Sequence, residues 1–154
     1  MALSDNKAAA LAIATALVAP LEGLRQFAYY DPPGIPTICF GSTKGVKMGD
    51  FRTVPECKAL LTKEMTDVID KVDRCVPGLP TNALAAFSSA AYNLGPRVAC
   101  DTGYSTAARL LKAGYIREAC RELPRWNKTT VMGIKVVLPG LTTRRGMERD
   151  LCLS

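Results

Sequence analysis

Histidine is absent from this chain of 154 residues. Hydrolysis through a Ser-His-Asp or Cys-His arrangement, and through histidine-ligated zinc, is therefore excluded in its usual form. The cysteines at 39, 57, 75, 100, 120 and 152 contain no C-x-x-C pair. That spacing argues against a cysteine-only zinc site and against a thioredoxin-type redox centre. Neither a G-x-G-x-x-G run nor a P-loop pattern occurs. Internal repeats, low-complexity tracts and a disordered tail are also missing. An enzyme built from this chain must work with carboxylates, hydroxyls and water, and no metal or cofactor is expected.

What is present describes a globular protein. Apolar residues make up 48% and charged residues 22%, outside the composition of disordered chains. The length suits one domain, or two small lobes sharing a linker. Six widely spaced cysteines fit three disulfides and an oxidising compartment such as the periplasm; buried thiols are the alternative. The net charge of +6 implies attraction to a polyanion. The basic residues are dispersed and accompany no nucleic-acid reading motif, so no nucleic-acid partner is expected. An anionic bacterial envelope fits the charge as well and agrees with the cysteines.

Along the chain, Ala8 to Leu21 carries one polar residue, Thr15, and as a helix has no solvent face. Its length of about 21 Å falls short of the roughly 30 Å hydrocarbon core, which disfavours a firm transmembrane span. A buried helix, a signal-peptide core and a weak membrane anchor all remain open. Residues 27–48 read as a hairpin-like β region turning at Asp31-Pro32-Pro33-Gly34. Thr53-Val-Pro-Glu56 forms a capping box, and Leu60, Leu61, Met65, Val68, Ile69 and Val72 recur at helical spacing up to about Cys75. Thr81 is expected to cap a helix with Leu84, Phe87, Ala91 and Leu94 on one stripe, closed by Gly95-Pro96. Short helices follow from Ser105 or Thr106 to Gly114 and on to Leu123, then a loop over 127–139 and a last helix from Gly140 to Leu151. The fold class expected is α+β and mostly helical: one domain over 1–154, comprising an apolar helix (1–21), a β-containing lobe (22–54), a long linking helix (55–75) and a helical lobe (76–154).

Eight residues separate Glu22 from Asp31, and five separate Asp31 from Thr37. A helix ending at Glu22, followed by the Asp-Pro-Pro-Gly turn and a returning strand, brings two carboxyls and a hydroxyl to one cleft. Two carboxyls in different surroundings are the minimum equipment for cleaving a glycosidic bond: one protonates the leaving oxygen, the other serves a water or the sugar. Taken alone, such a pair is as readily solvated surface or a structural ion-pair network.

The chain from about Ala8 resembles the phage-type lysozymes of glycoside hydrolase family 24, the endolysins of tailed bacteriophages. The resemblance rests on E-G-L-R at 22–25, A-Y-Y-D-P-P-G-I-P-T-I-C-F-G at 28–41 and E-C-K-A-L-L at 56–61. It continues with Y-N-L-G at 92–95, S-T-A-A-R-L-L at 105–111, R-W at 125–126, L-P-G-L at 138–141 and R-R-G-M-E-R at 144–149. Gly41-Ser42-Thr43 departs from many relatives, which carry a histidine in the middle. The resemblance implies hydrolysis of the β-1,4 bond between N-acetylmuramic acid and N-acetylglucosamine in peptidoglycan. Glu22 is then the general acid, Asp31 the residue that activates water or stabilises the transition state, and Thr37 the holder of that water. Inverting and retaining outcomes stay open. Asn93, Ser105, Trp126 and Arg145 become candidates for the far wall of the sugar and peptide cleft. The residues themselves equally allow amide or cap bonding for Asn93 and Ser105, core packing for Trp126 and a solvated helix face for Arg145.

Six cysteines allow 15 pairings; the resemblance favours Cys39–Cys57, Cys75–Cys100 and Cys120–Cys152. Some endolysins of this family reach the periplasm on a weakly apolar signal-anchor-release helix, and Ala8 to Leu21 resembles one joined directly to Glu22. The expected partners are bacterial peptidoglycan and, transiently, the inner membrane, with the protein a monomer in the host periplasm. In that scheme the released helix buries Leu11, Ile13, Leu17 and Val18. Two other classes compete: a lytic transglycosylase, which needs an acid but no water activation, and a non-catalytic peptidoglycan-binding module.

Overall fold

The computed structural model describes residues 3–154. Helix α1 (Asp5–Glu22) starts earlier than the apolar run predicts, because the Ser4 side chain accepts from the Lys7 amide and caps the helix. Lys7 itself reaches Asp70 and Asp73 on α2. Small side chains take the deepest places on α1. Ala10, Ala14 and Val18 are buried, whereas Leu11, Ile13 and Leu17 are half-buried. Gly23 ends the helix at positive φ, donating its amide back to Ala19. The chain therefore turns immediately after Glu22.

Strands β1 (Arg25–Tyr30) and β2 (Pro36–Cys39) form the expected antiparallel hairpin, pairing Tyr29 with Thr37 and Tyr30 with Pro36. Residues 50–52 extend it on the far side of β1, through Ala28 N to Asp50 O at 3.0 Å and Arg52 N to Gln26 O at 2.9 Å. Helix α2 (Val54–Cys75) opens with a reciprocal capping box: Thr53 Oγ1 accepts from the Glu56 amide, and Glu56 accepts from the Thr53 amide. These bonds to the carboxylate hold the Glu56 pKa below its usual value. Cys57, Leu61, Met65, Ile69 and Val72 form its buried stripe.

Helix α3 (Thr81–Leu94) is the centre of the large lobe. Ala83 through Ala91 are all buried, Ser88 and Ser89 included, because neighbouring helices enclose this stretch on every side. It packs against α1, α2 and the last helix. Thr81 does not cap it. Pro80 occupies the N-cap position, and the Thr81 hydroxyl instead donates to the Asn6 side chain of α1. Helices α4 (Arg97–Cys100), α5 (Thr106–Lys112) and α6 (Ile116–Glu122) and a 3-10 turn (Leu123–Arg125) complete the lobe.

The segment expected to be a loop over 127–139 is a hairpin of β3 (Lys128–Val131) and β4 (Ile134–Val137). Met132 and Gly133 both take positive φ, the backbone of a two-residue hairpin turn. Helix α7 (Pro139–Leu153) follows. The three disulfides are Cys39–Cys57, Cys75–Cys100 and Cys120–Cys152, as the resemblance implied. They fasten β2 to α2, α2 to α4, and α6 to α7.

Candidate active site

A groove of about 340 Å³ runs between the β-containing lobe and the helical lobe. Glu22, Asp31 and Thr37 all line it, brought there by the end of α1 and by the β1–β2 hairpin. The opposite wall comes from Tyr92 and Asn93 at the end of α3, Lys128 and Thr129 of β3, and Leu138 and Leu141 beside and on α7.

Each of the three residues is held by its own neighbourhood. Asp31 sits at the hairpin turn, where its Oδ1 accepts from the Ile35 amide at 2.7 Å and its own amide donates to the Ile35 carbonyl at 3.0 Å. The second carboxylate oxygen is free to serve a ligand or water. Thr37 is buried, and its hydroxyl donates to the Ile35 carbonyl at 2.8 Å. With that proton committed, the hydroxyl oxygen meets the groove as an acceptor. Tyr29, paired with Thr37 across the hairpin, forms part of the same wall under the Arg25 guanidinium, 4.1 Å from its ring centroid. Burial and nearby Glu22 push the Tyr29 phenol pKa up.

Glu22 is joined to an arginine that the sequence reading passed over. Arg144 Nη1 donates to Glu22 Oε1. The same guanidinium reaches Glu148 Oε2 at 3.3 Å and the Ser89 carbonyl at 3.1 Å. Arg145 lies behind it: Nη2 donates to Glu148 Oε2 at 3.2 Å and to Asn93 Oδ1 at 3.1 Å. Its Nε makes a 2.7 Å ion contact with Glu148 Oε1 that misses hydrogen-bond alignment. Ser89 donates to Glu148 at 2.5 Å. Two arginines and two glutamates thus balance in charge. Arg145 and Glu148 are fully buried, and burial pushes both toward their neutral forms, the Arg145 pKa down to about 10 and the Glu148 pKa up. Their pairing answers that cost.

The remaining candidates divide. Asn93 is on the groove wall. Trp126 lines an adjoining cavity of about 430 Å³ with Tyr104, 5.8 Å from it, and this cavity shares Leu94, Lys128 and Thr129 with the groove of Glu22 and Asp31. Ser105 is buried away from both: it caps α5 by accepting from Ala108 N at 3.1 Å and donates to the Val98 carbonyl at 2.7 Å. Arg145 is neither a groove residue nor on a solvated face, being 0% exposed. Its place is structural, behind Arg144. Helical phase alone did not separate the two arginines, since both lie a turn before the inward-facing Glu148.

Comparisons with known proteins agree with this architecture. The phage lysozyme family model matches residues 19–148. The SAR-endolysin of Pseudomonas phage phiKMV is 42% identical over 151 residues, covering 96% of this chain and 90% of that protein. Among solved structures, the endolysin from Escherichia coli O157:H7 phage FAHEc1 superposes with a TM-score of 0.77 at 32% identity, over 99% of this chain and 94% of that one. The active form of P1 phage endolysin Lyz gives a TM-score of 0.75 at 30% identity, over 92% and 83% of the two chains. Its secreted inactive form gives 0.60 at 25% identity, over 92% and 93%. With the groove, its two carboxyls and these matches in hand, the chain is a peptidoglycan-hydrolysing enzyme that belongs to the phage lysozyme family.

Proposed function

We propose that this protein is an endolysin that cleaves the β-1,4 bond between N-acetylmuramic acid and N-acetylglucosamine of the bacterial wall. The observation that carries the reading is the shared groove of Glu22, Asp31 and Thr37, open between two lobes to a long polymer. Glu22 donates the proton to the departing glycosidic oxygen. Its Oε1 is engaged by Arg144, so the proton leaves from Oε2, which faces Gly41. Asp31 orients and polarises water with the oxygen that the Ile35 amide does not hold. Thr37, its own proton given to the Ile35 carbonyl, accepts from that water and fixes its position. Asn93 and Trp126 lie along the path of the chain beyond the cleaved bond.

Product analysis on purified peptidoglycan tests this. New reducing ends are expected. An anhydro sugar would assign the protein to the transglycosylases, and absence of any cleavage would leave a binding module.

A second part of the reading concerns α1. Among the described residues no helix is long and apolar enough to cross a membrane. The helix is nonetheless apolar on most of its circumference, and the phiKMV relative carries the name SAR-endolysin. We take the packed α1 as the released arrangement, preceded by loose tethering at the inner membrane. The better match to the active than to the inactive P1 form supports the packed arrangement as the active one.

A further inference from the structure

We propose that Tyr92 is a positioning residue for the acid, holding the Phe40–Gly41 peptide so that the bare face of Gly41 leaves room for the Glu22 carboxyl. The inference depends on Glu22 being the acid.

Tyr92 stands near the end of α3, and its hydroxyl donates to the Phe40 carbonyl at 2.8 Å. That bond joins the large lobe to the segment leaving β2. The next residue, Gly41, has φ +87°, a conformation that a residue bearing Cβ adopts only under strain. A Cβ placed there would stand 2.8 Å from Glu22 Oε2 and 3.1 Å from its carboxyl carbon. The missing side chain of Gly41 is therefore what leaves room for the acid. Arg144 pulls on Oε1 from the other side. One oxygen is attached and the other lies over the bare face of Gly41, so the carboxyl keeps its place in the groove only while that face is presented to it.

Packing alone does not call for a phenol at this position. Phenylalanine would fill the same space, whereas a half-buried hydroxyl is costly unless it is bonded. Burial, together with Glu64 and Glu22, raises the Tyr92 pKa, so the group remains a donor throughout the neutral range. The Ile38–Ser42 backbone pair, bonded in both directions at 2.9 Å, closes the turn at its base, and the Tyr92 hydroxyl fixes its tip; without the hydroxyl the Phe40–Gly41 peptide loses its tie to the large lobe and shifts against Oε2.

Steady-state kinetics on solubilised peptidoglycan test the assignment with Tyr92→Phe, Gly41→Ala and Glu22→Gln measured beside the wild type. Displacing a catalytic group by a fraction of an ångström should lower kcat by about tenfold. Tyr92→Phe is expected to show that loss with KM unchanged and circular dichroism and melting close to wild type. Gly41→Ala should lose at least as much kcat, again at constant KM. Wild-type kcat in Tyr92→Phe overturns the proposal, as does a loss shared equally by kcat, KM and melting. If Tyr92→Phe fails to fold, Tyr92→Leu is measured in its place, and wild-type kcat there overturns the proposal equally; Gly41→Ala reports on the space beside Glu22. A Glu22→Gln protein at wild-type kcat would remove the acid assignment itself; an inactive Glu22→Gln beside an unaffected Tyr92→Phe would remove only the role of Tyr92.

Discussion

The Arg144 guanidinium bonds the Glu22 carboxylate across 122 residues of sequence, tying the last helix to the end of the first. Because the same side chain also serves Glu148 and the Ser89 carbonyl, the Glu22 carboxyl is anchored in the buried charge cluster of the large lobe. The hairpin that carries Asp31 and Thr37 is fastened separately, through Cys39–Cys57 to α2. The relative placement of Glu22, Asp31 and Thr37 is thus a property of how the two lobes are joined.

Arg144→Ala should accordingly harm both stability and activity. It leaves Glu148 with one cation fewer in a site with no solvent access, and breaking a buried pair in this way costs about 3–5 kcal/mol. Arg144→Lys keeps the charge but not the fork that reaches two carboxylates and a carbonyl at once. It should fold better than the alanine variant and still lyse walls poorly. Denaturant unfolding and turbidity clearing, measured on both variants, check the pair of outcomes.

The disulfides should separate by position. Each closes a loop worth about 2–4 kcal/mol when removed. Replacing Cys120 and Cys152 by serine should lower stability while sparing the turnover of folded protein, because that bridge joins α6 to α7 away from the groove. Replacing Cys39 and Cys57 should also lower turnover, since Cys39 lies two residues beyond Thr37 on β2. Specific activity per folded molecule distinguishes the two.

Legibility from sequence followed distance along the chain. Glu22, Asp31 and Thr37 were readable because one helix end, one turn and one strand carry them within sixteen positions. The capping box at Thr53 and Glu56 was readable for the same local reason. Arg144 was not, since its partner is fixed only when α7 packs on α3, and two adjacent arginines offered no local basis for choosing between them. The β3–β4 hairpin carried a signal in Lys-Thr-Thr-Val and Ile-Lys-Val-Val around Met132-Gly133. The turn lacks the usual asparagine or aspartate at its first position, which concealed it. Tyr92 stood out only as part of Y-N-L-G at 92–95; its bond to Phe40 is tertiary.

Membrane tethering gives a test that leaves the folded enzyme alone. Ala9, Ala12 and Ala16 are exposed on packed α1, so leucines there should not disturb the core. They should strengthen the hold of the segment on lipid, each added apolar group gaining about 0.8 kcal/mol per buried methylene. The triple variant should fractionate with the inner membrane and fail to lyse cells, while the purified folded protein still clears isolated walls. Wild-type protein found wholly in the cytoplasm, with lysis requiring a separate membrane pore, would refute tethering.

The central claim is that Glu22 supplies the proton, and replacing its carboxylic acid by the nearly isosteric amide tests it most directly. Glu22→Gln retains the bulk at the end of α1 and a carbonyl oxygen for Arg144, but it has no acid proton to give. The measurement is the rate of reducing-end release from purified peptidoglycan, with circular dichroism and melting recorded on the same preparation. The expected result is a folded protein with turnover lost by at least a hundredfold, in keeping with the usual contribution of a positioned general acid. A folded Glu22→Gln protein that releases reducing ends at the wild-type rate would contradict the account.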